Sequence, residues 1–266
     1  MCQHETIDVT REGHLTWLAL NRPDALNALS TRLVDELREF FSGLSRDTET
    51  RVVVVRGHGR AFCAGLDLKE DRSGVGGGGV TDALRSQRHI AELALLMRRA
   101  PQPIIAAVHG AAAGGGFAIA LAADVRIAAD TARMNAAFIR LGLSACDVGV
   151  SYFLPRVVGA SVASELLLTG DFIDAQRALA TGLVSRVVPE AELESAAREL
   201  AGRMLRNSPL ALRLTKECLA VNVDAASLEA AIALEDRNQV IAASSRDFRE
   251  GVAAFLAKRE AQFSDR

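Results

Sequence analysis

The sequence predicts an α/β fold whose last third is helical, and three observations carry that prediction. Two apolar runs of strand length, residues 52–55 and Ile104–Val108, lack the alternation of a half-buried strand, so each should lie in a sheet covered on both faces. Helical patterns alternate with such runs through the first 180 residues, the rhythm of strands joined by short crossovers. From Glu190 onward the apolar spacing is helical and no further strand is expected.

In chain order, residues 6–9 and 14–20 flank Arg11-Glu12-Gly13 and read as a β-hairpin. Ser30 is the N-cap of a helix on which Leu33, Leu37, Phe40, Phe41 and Leu44 share one face. The strand at 52–55 leads into the polar turn Gly57-His58-Gly59-Arg60. Residues 71–80 contain Gly-x-Gly-x-x-Gly, but a dinucleotide loop needs a strand directly before it, and the charged run Lys69-Glu70-Asp71-Arg72 stands there instead. The composition predicts a flexible, exposed connection that could rim a substrate site. Residues 81–100 read as a helix with Leu84, Ile90, Leu93 and Met97 inward.

The central stretch, residues 103–124, passes from the strand Ile104–Val108 through Gly114-Gly115-Gly116 into a buried helix from Phe117. Short strands follow at 125–128 and 134–138, then short helices at 149–154, 161–168 and 174–180, the last capped by Asp174 and ended by Gly182. Residues 184–188 form the last strand. Helices then cover 190–204, a segment opened by Ser208-Pro209, one from Asp224, and one from Ser245 carrying Phe248, Val252, Phe255 and Leu256. We therefore expect an α/β core over residues 1–200 and a helical region over 201–266 whose apolar faces meet a partner chain or fold back over the site.

Composition narrows the function. The 266 residues are 49% hydrophobic and 24% charged, ordinary for a soluble globular protein. With 31 basic against 33 acidic residues, the net charge of −2 argues against a nucleic-acid or membrane-surface role. No apolar run approaches the roughly 20 residues of a membrane span, and Met1 to Thr6 lacks the basic and apolar regions of a secretion signal, so a cytoplasmic location is expected. Cys2, Cys63, Cys146 and Cys218 show no paired spacing for zinc or redox chemistry and read as small hydrophobes, although Cys63 and Cys146 lie within site motifs, within reach of thiol reagents. His14, His58 and His89 lie on polar turns or faces, with no spacing for a metal.

Two turns carry the candidate chemistry. Ala64-Gly65-Leu66 and Gly114-Gly115-Gly116 each follow a strand and could each present one backbone N–H to a single carbonyl oxygen, together forming an oxyanion hole. The alternative for the glycine triplet is tight helix–strand packing.

The segments Ala61-Phe62-Cys63-Ala64-Gly65-Leu66-Asp67-Leu68 and Ala106 to Gly116 resemble the signature of the crotonase (enoyl-CoA hydratase/isomerase) superfamily. So do Asn21-Arg22-Pro23-Asp24-Ala25-Leu26-Asn27-Ala28-Leu29, Asp124-Val125-Arg126-Ile127-Ala128 and the stretch from Ala180 to Pro189, in the family's order. The resemblance implies a ClpP/crotonase-type spiral of β-β-α units, a trimer or hexamer, and a CoA thioester substrate from fatty-acid or related acyl-CoA metabolism, without metal or other cofactor. It implies Leu66 N–H and Gly115 N–H as the oxyanion donors that stabilise an enolate. It also implies substrate or CoA contacts at Ala64, Gly65, Asp67, Leu68, Lys69, Gly114, Gly116 and Phe138, and at Lys258 and Phe263 near the C-terminus.

The chain departs from the family at the acid–base positions. Hydratases carry two glutamates where this sequence has Ala118 and Phe138, and neither can move a proton. Asp147, followed by Val148-Gly149, resembles the catalytic aspartate of dienoyl-CoA isomerases and aryl-CoA dehalogenases. Its alternative role is that of N-cap for the helix from Gly149. His109 stands where the family tolerates Asn or His and is expected to make a structural hydrogen bond, while Arg140 and Tyr152 are candidates to line the pocket. The expected function is that of an enoyl-CoA hydratase/isomerase. Its rivals are an isomerase or hydrolase using Asp147 as base or nucleophile, and a CoA-binding protein without activity.

Overall fold

In the computed structural model, which describes residues 4–70 and 79–265, the chain opens with the hairpin. Strands β1 (Ile7–Glu12) and β2 (Leu15–Leu20) pair antiparallel, with Ile7 opposite Leu20 and Glu12 opposite Leu15. Strands β3 (Val52–Gly57), β4 (Ile104–Val108), β6 (Val125–Ala129) and β9 (Arg186–Val188) extend this sheet in parallel, in the order β1-β2-β3-β4-β6-β9. The unbroken apolar run of β3 is explained by this layering. Val53 and Val55 face a core shared with helix α1 (Thr31–Gly43), while Val52 and Val54 face a second cluster closed by helix α7 (Leu193–Leu205) through Leu193, Ala196, Ala197 and Ala201.

Ser30 caps α1 as expected, its hydroxyl accepting from Leu33 N at 3.1 Å. On the same helix Glu36 is buried. Burial would raise its pKa, but the N–H groups of Glu5 and Thr6, the Thr6 hydroxyl and Arg32 hold it at about 2. Helix α2 (Gly79–Arg99) buries Leu93 and Met97, whereas Leu84 is 47% exposed, so the inward face does not extend to the first turns as the spacing suggested. Of the connection at 71–80, expected to be a flexible rim, residues 71–78 lie outside the described residues, as does Cys2, while Gly79 and Val80 open α2.

After β4 the chain makes a strand that its alanines do not announce, β5 (Ala111–Ala113), and then helix α3 (Gly115–Ala122), every residue of which is buried. β5 pairs in parallel with β7 (Arg133–Asn135), which pairs with β8 (Ile173–Asp174), forming a second sheet of three strands among the described residues. β7 ends before Phe138, which lies instead in a 3-10 turn, Ala137–Leu141. Helix α4 (Val150–Val158) runs past the expected end, through Pro155, followed by α5 (Ala160–Thr169) and α6 (Ala175–Ala180). Asp174 caps α6, accepting from Arg177 N at 2.8 Å.

The last helices are α8 (Pro209–Asn222), α9 (Leu228–Ala243) and α10 (Arg246–Leu256). Asp224 does not begin α9. Ser227 is its cap, and the Asp224 carboxylate is already engaged by Tyr152 and by Arg156 at 2.7 Å. Lys216 ties α8 to the core: only 6% exposed, it pairs with Asp124 at 2.8 Å and donates to Gln102 O at 2.8 Å and Met97 O at 3.2 Å. Phe248, Phe255 and Leu256 of α10 remain exposed.

Candidate active site

The two turns nominated by the sequence are brought together by backbone hydrogen bonds. Cys63 N donates to Ala111 O at 3.0 Å and Ala113 N to Cys63 O at 2.9 Å, which lashes the segment after β3 to β5. On its other side the same segment meets Leu29, whose N–H donates to Gly65 O at 2.7 Å and whose carbonyl accepts from Asp67 N at 3.1 Å. In such a parallel bridge the residue between the two bonded neighbours turns its own N–H away from the partner. Leu66 N–H is therefore directed away from Leu29, and among the described residues it donates to no backbone carbonyl.

Gly115 is the first residue of α3, where an N–H has no acceptor within its own helix, and it too donates to no described backbone carbonyl. The glycines around it serve packing and exposure at once. A Cβ on Gly116 would stand 2.1 Å from Cys63 O, which no side chain tolerates. Gly65, at φ +94°, brings the two donor turns close: a Cβ there would lie 2.7 Å from Ala113 O and 3.5 Å from Gly115 N. The packing reading of the triplet is thus realised, and Gly115 N–H is left without a backbone acceptor among the described residues.

These turns open into a cavity of about 380 Å³. Leu29, Leu66, Leu68, Ile90, Phe138, Leu141, Leu143 and Val148 supply its apolar wall, and Ser86, Gln87, Arg140 and Asp147 its polar side chains. Of the nominated contacts, Ala64, Gly65, Leu66, Leu68, Gly114, Gly115, Phe138 and Asp147 line it. Asp67, Lys69 and Gly116 belong to the same turns without lining it. Asp67 pairs with Arg22 at 2.8 Å, which with the N–H of Lys69 holds its carboxyl below the usual range and braces the loop. Lys258 and Phe263 are not among the lining residues. Lys258 is exposed beyond α10, and Phe263 lines a separate groove of about 490 Å³ with Asp247, Phe248 and Phe255.

Asp147 is half-buried on this wall. Its Oδ1 accepts from Gln87 Nε2 at 2.5 Å and from Val148 N at 2.7 Å, while Oδ2 has no hydrogen-bond partner among the described residues. Burial pushes its pKa up, and the two hydrogen bonds offset only part of that rise. The N-cap alternative is not realised. The N-cap of α4 is Gly149, at φ +83° and without a side-chain cap, and Val150 N donates to the backbone carbonyl of Asp147 rather than to its carboxylate.

Ala118 is wholly buried within α3, away from the cavity wall, and Phe138 offers only its ring. Arg140 lines the cavity but donates to Gly170 O at 3.0 Å and pairs with Asp171 at 2.5 Å. Tyr152 does not line it but lines another cavity, and its hydroxyl donates to Asp224. His109 makes the structural contact expected of it, Nε2 to Gly59 O at 2.9 Å. Cys63 is fully buried and its thiol pushed up to about 12 by that burial, so it is not open to reagents, whereas Cys146 is exposed. Among the described residues no cluster of His, Cys, Asp and Glu is arranged to hold a metal ion.

Sequence reading missed Gln87. Ala83, Ser86, Gln87 and Ile90 all line the cavity and lie at i, i+3, i+4 and i+7 on α2, a second stripe beside the strongly apolar one of Leu93 and Met97. The spacing was visible, but nothing in it marked a mixed polar face as part of a site.

The chain matches the enoyl-CoA hydratase/isomerase family over residues 10–266. It is 41% identical over 259 residues to a probable enoyl-CoA hydratase of Mycobacterium tuberculosis, covering 93% of this chain and 88% of that one. It is 36% identical over 247 residues to the 1,2-epoxyphenylacetyl-CoA isomerase of Escherichia coli, covering 93% and 94%. Its fold superposes with a TM-score of 0.91 on the crystal structure of a probable enoyl-CoA hydratase/isomerase from Mycobacterium abscessus, at 38% identity over 98% of this chain and 100% of that one. With the fold, the paired donor turns and these likenesses together, the chain belongs to the enoyl-CoA hydratase/isomerase family of the crotonase superfamily and is an enzyme of that family.

Proposed function

We propose that the enzyme isomerises an acyl-CoA thioester by moving one proton with Asp147, rather than adding water across a double bond. The observation that carries this reading is that Asp147 is the one carboxylate lining the cavity among the described residues. Leu66 N–H and Gly115 N–H would hold the thioester oxygen and stabilise the charge that develops when an α-proton leaves. Asp147 Oδ2 takes that proton and returns it to the γ-carbon, so one carboxylate serves both halves of the shift. Hydration asks more of the site, because one group must take a proton from water while another delivers one to the α-carbon. With Ala118 and Phe138 in place of the two glutamates, that pair is missing. Among the similar proteins, one is named as an isomerase of an epoxide-bearing CoA thioester and another as a probable enoyl-CoA hydratase.

The apolar wall fits an uncharged acyl chain, and CoA enters as part of the substrate with no further cofactor. Incubation with crotonyl-CoA, a 3-enoyl-CoA and an aryl-CoA, followed by product analysis, tests the reading. The 3-enoyl-CoA should be converted to the 2-enoyl isomer. Rapid hydration of crotonyl-CoA without any double-bond shift would overturn the isomerase reading, and release of free CoA would point to Asp147 as a nucleophile.

The exposed Phe248, Phe255 and Leu256 support self-association through residues 201–266 into three or six copies. Lys258 and Phe263 belong to CoA binding within that assembly, and the location is cytoplasmic. No described helix is long and apolar enough to cross a membrane. Light scattering should report three or six chain masses at micromolar concentration, and a stable single-chain mass would overturn the assembly.

A further inference from the structure

We infer that Gln87 is a positioning residue that pins one oxygen of Asp147, leaving the other as the sole proton carrier toward the substrate. The inference rests on the reading of Asp147 as the base. Two donors converge on Oδ1: the Gln87 amide from α2 at 2.5 Å and, from Asp147's own turn, the Val148 N–H at 2.7 Å. A carboxylate otherwise turns easily about its last torsion, which is broad and two-fold, so either oxygen could face the substrate. With both donors on Oδ1, the plane is set and Oδ2 is left without a partner among the described residues.

The backbone donor is itself held in an unusual state. Val148 has φ +46°, a left-handed conformation that a β-branched residue rarely adopts, and its side chain is only 6% exposed on the cavity wall. Strain of this kind persists where the surroundings over-determine it, and it clusters at functional sites. Here it aims an N–H at the carboxylate oxygen that Gln87 also grips.

The choice of an amide is chemically apt. A lysine or arginine at residue 87 would depress the Asp147 pKa and weaken the base, whereas a second carboxylate would raise it further. Glutamine orients the group without adding charge, and its N–H favours the ionised form that must accept the proton. Among the described residues Arg140 is the one other charged side chain on the cavity wall, and it is engaged by Asp171 at 2.5 Å. On α2 itself Arg85 pairs with Asp82 at 2.9 Å. Cys146 neighbours Asp147 in the chain and is exposed.

The test titrates Asp147 directly in the full chain labelled with ¹³C at the aspartate carboxyls. The Asp147 resonance is assigned by its disappearance in Asp147→Asn, and the titration is repeated in Gln87→Met, which keeps length and loses the N–H. Loss of one hydrogen bond to the ionised form should raise the midpoint by about half to one pH unit. With a 3-enoyl-CoA, kcat should fall about 3–30-fold with KM within about twofold, and the acid limb should move to higher pH, as expected when a base loses an orienting partner. An unchanged midpoint, or a raised KM with unchanged kcat, would overturn the inference while the reading of Asp147 stands. Full turnover in Asp147→Asn overturns that reading instead, whatever the titration shows.

Discussion

Asp147→Asn is expected to lower turnover about 10²–10⁴-fold, the usual contribution of a positioned general base. The substitution is close to isosteric. Its remaining carbonyl oxygen can still accept from Gln87 Nε2 and Val148 N, the two contacts that hold Oδ1 in the native protein. What disappears is the capacity of the second oxygen to take a proton. Because the side chain is not the cap of α4, thermal stability should barely change, and circular dichroism should report the native helix content. The native enzyme should lose activity as pH falls through the Asp147 pKa. That value is raised above the ordinary 3.8 by burial, so the loss begins at higher pH than for an exposed aspartate. The residual activity of the variant should lack this acid limb. Native-like turnover in a folded Asp147→Asn protein would remove Asp147 from the chemistry.

Gly115→Pro should cost about 10²–10³-fold in turnover, the usual loss for one oxyanion-hole donor. Gly115 is the first residue of α3, a position where proline is tolerated because its N–H has no partner within the helix. Two strains accompany the change. A Cβ at Gly115 would lie 2.6 Å from Leu29 Cδ1, the movable end of a side chain, and Gly114 at φ +50°, ψ −117° is not the extended conformation preferred before proline. Gly115→Ala adds the same Cβ and keeps the N–H, so it separates donor loss from crowding at Leu29. It should retain most of the turnover that proline abolishes. Equal loss in both variants, with both folded by circular dichroism, would assign the effect to packing and not to the donor.

Several features were legible from residue order because their physics is local. A hydroxyl before an amphipathic run caps a helix wherever it occurs, and Ser30, Ser208 and Ser245 do so here. The unbroken apolar run at β3 required cover on both faces, and two separate clusters provide it. The two donor turns were readable because glycine at Gly65 and Gly114–Gly116 permits backbone geometries that other residues resist.

Other features depended on distant contacts. The alanines of β5 have no strand preference of their own and are extended because Cys63 and β7 pair with them. Leu84 follows the helical period but lies beyond the part of α2 that packs against the core. The helix expected from Asp224 starts instead after Ser227, and Tyr152 and Arg156 hold the Asp224 carboxylate.

The sequence by itself determined the family and the loss of both family glutamates, and nominated the two backbone donors, because these reside in motifs of contiguous residues and in the side chain at each position. Only the tertiary structure decided the role open to Asp147, by turning its carboxylate into the cavity and giving the start of α4 to Gly149 instead. It likewise joined Gln87 to Asp147 across 60 positions of chain. A hydrogen bond between side chains on different elements leaves no periodicity or spacing in the sequence, since its partners are set by how helix and turn pack and not by their separation along the chain.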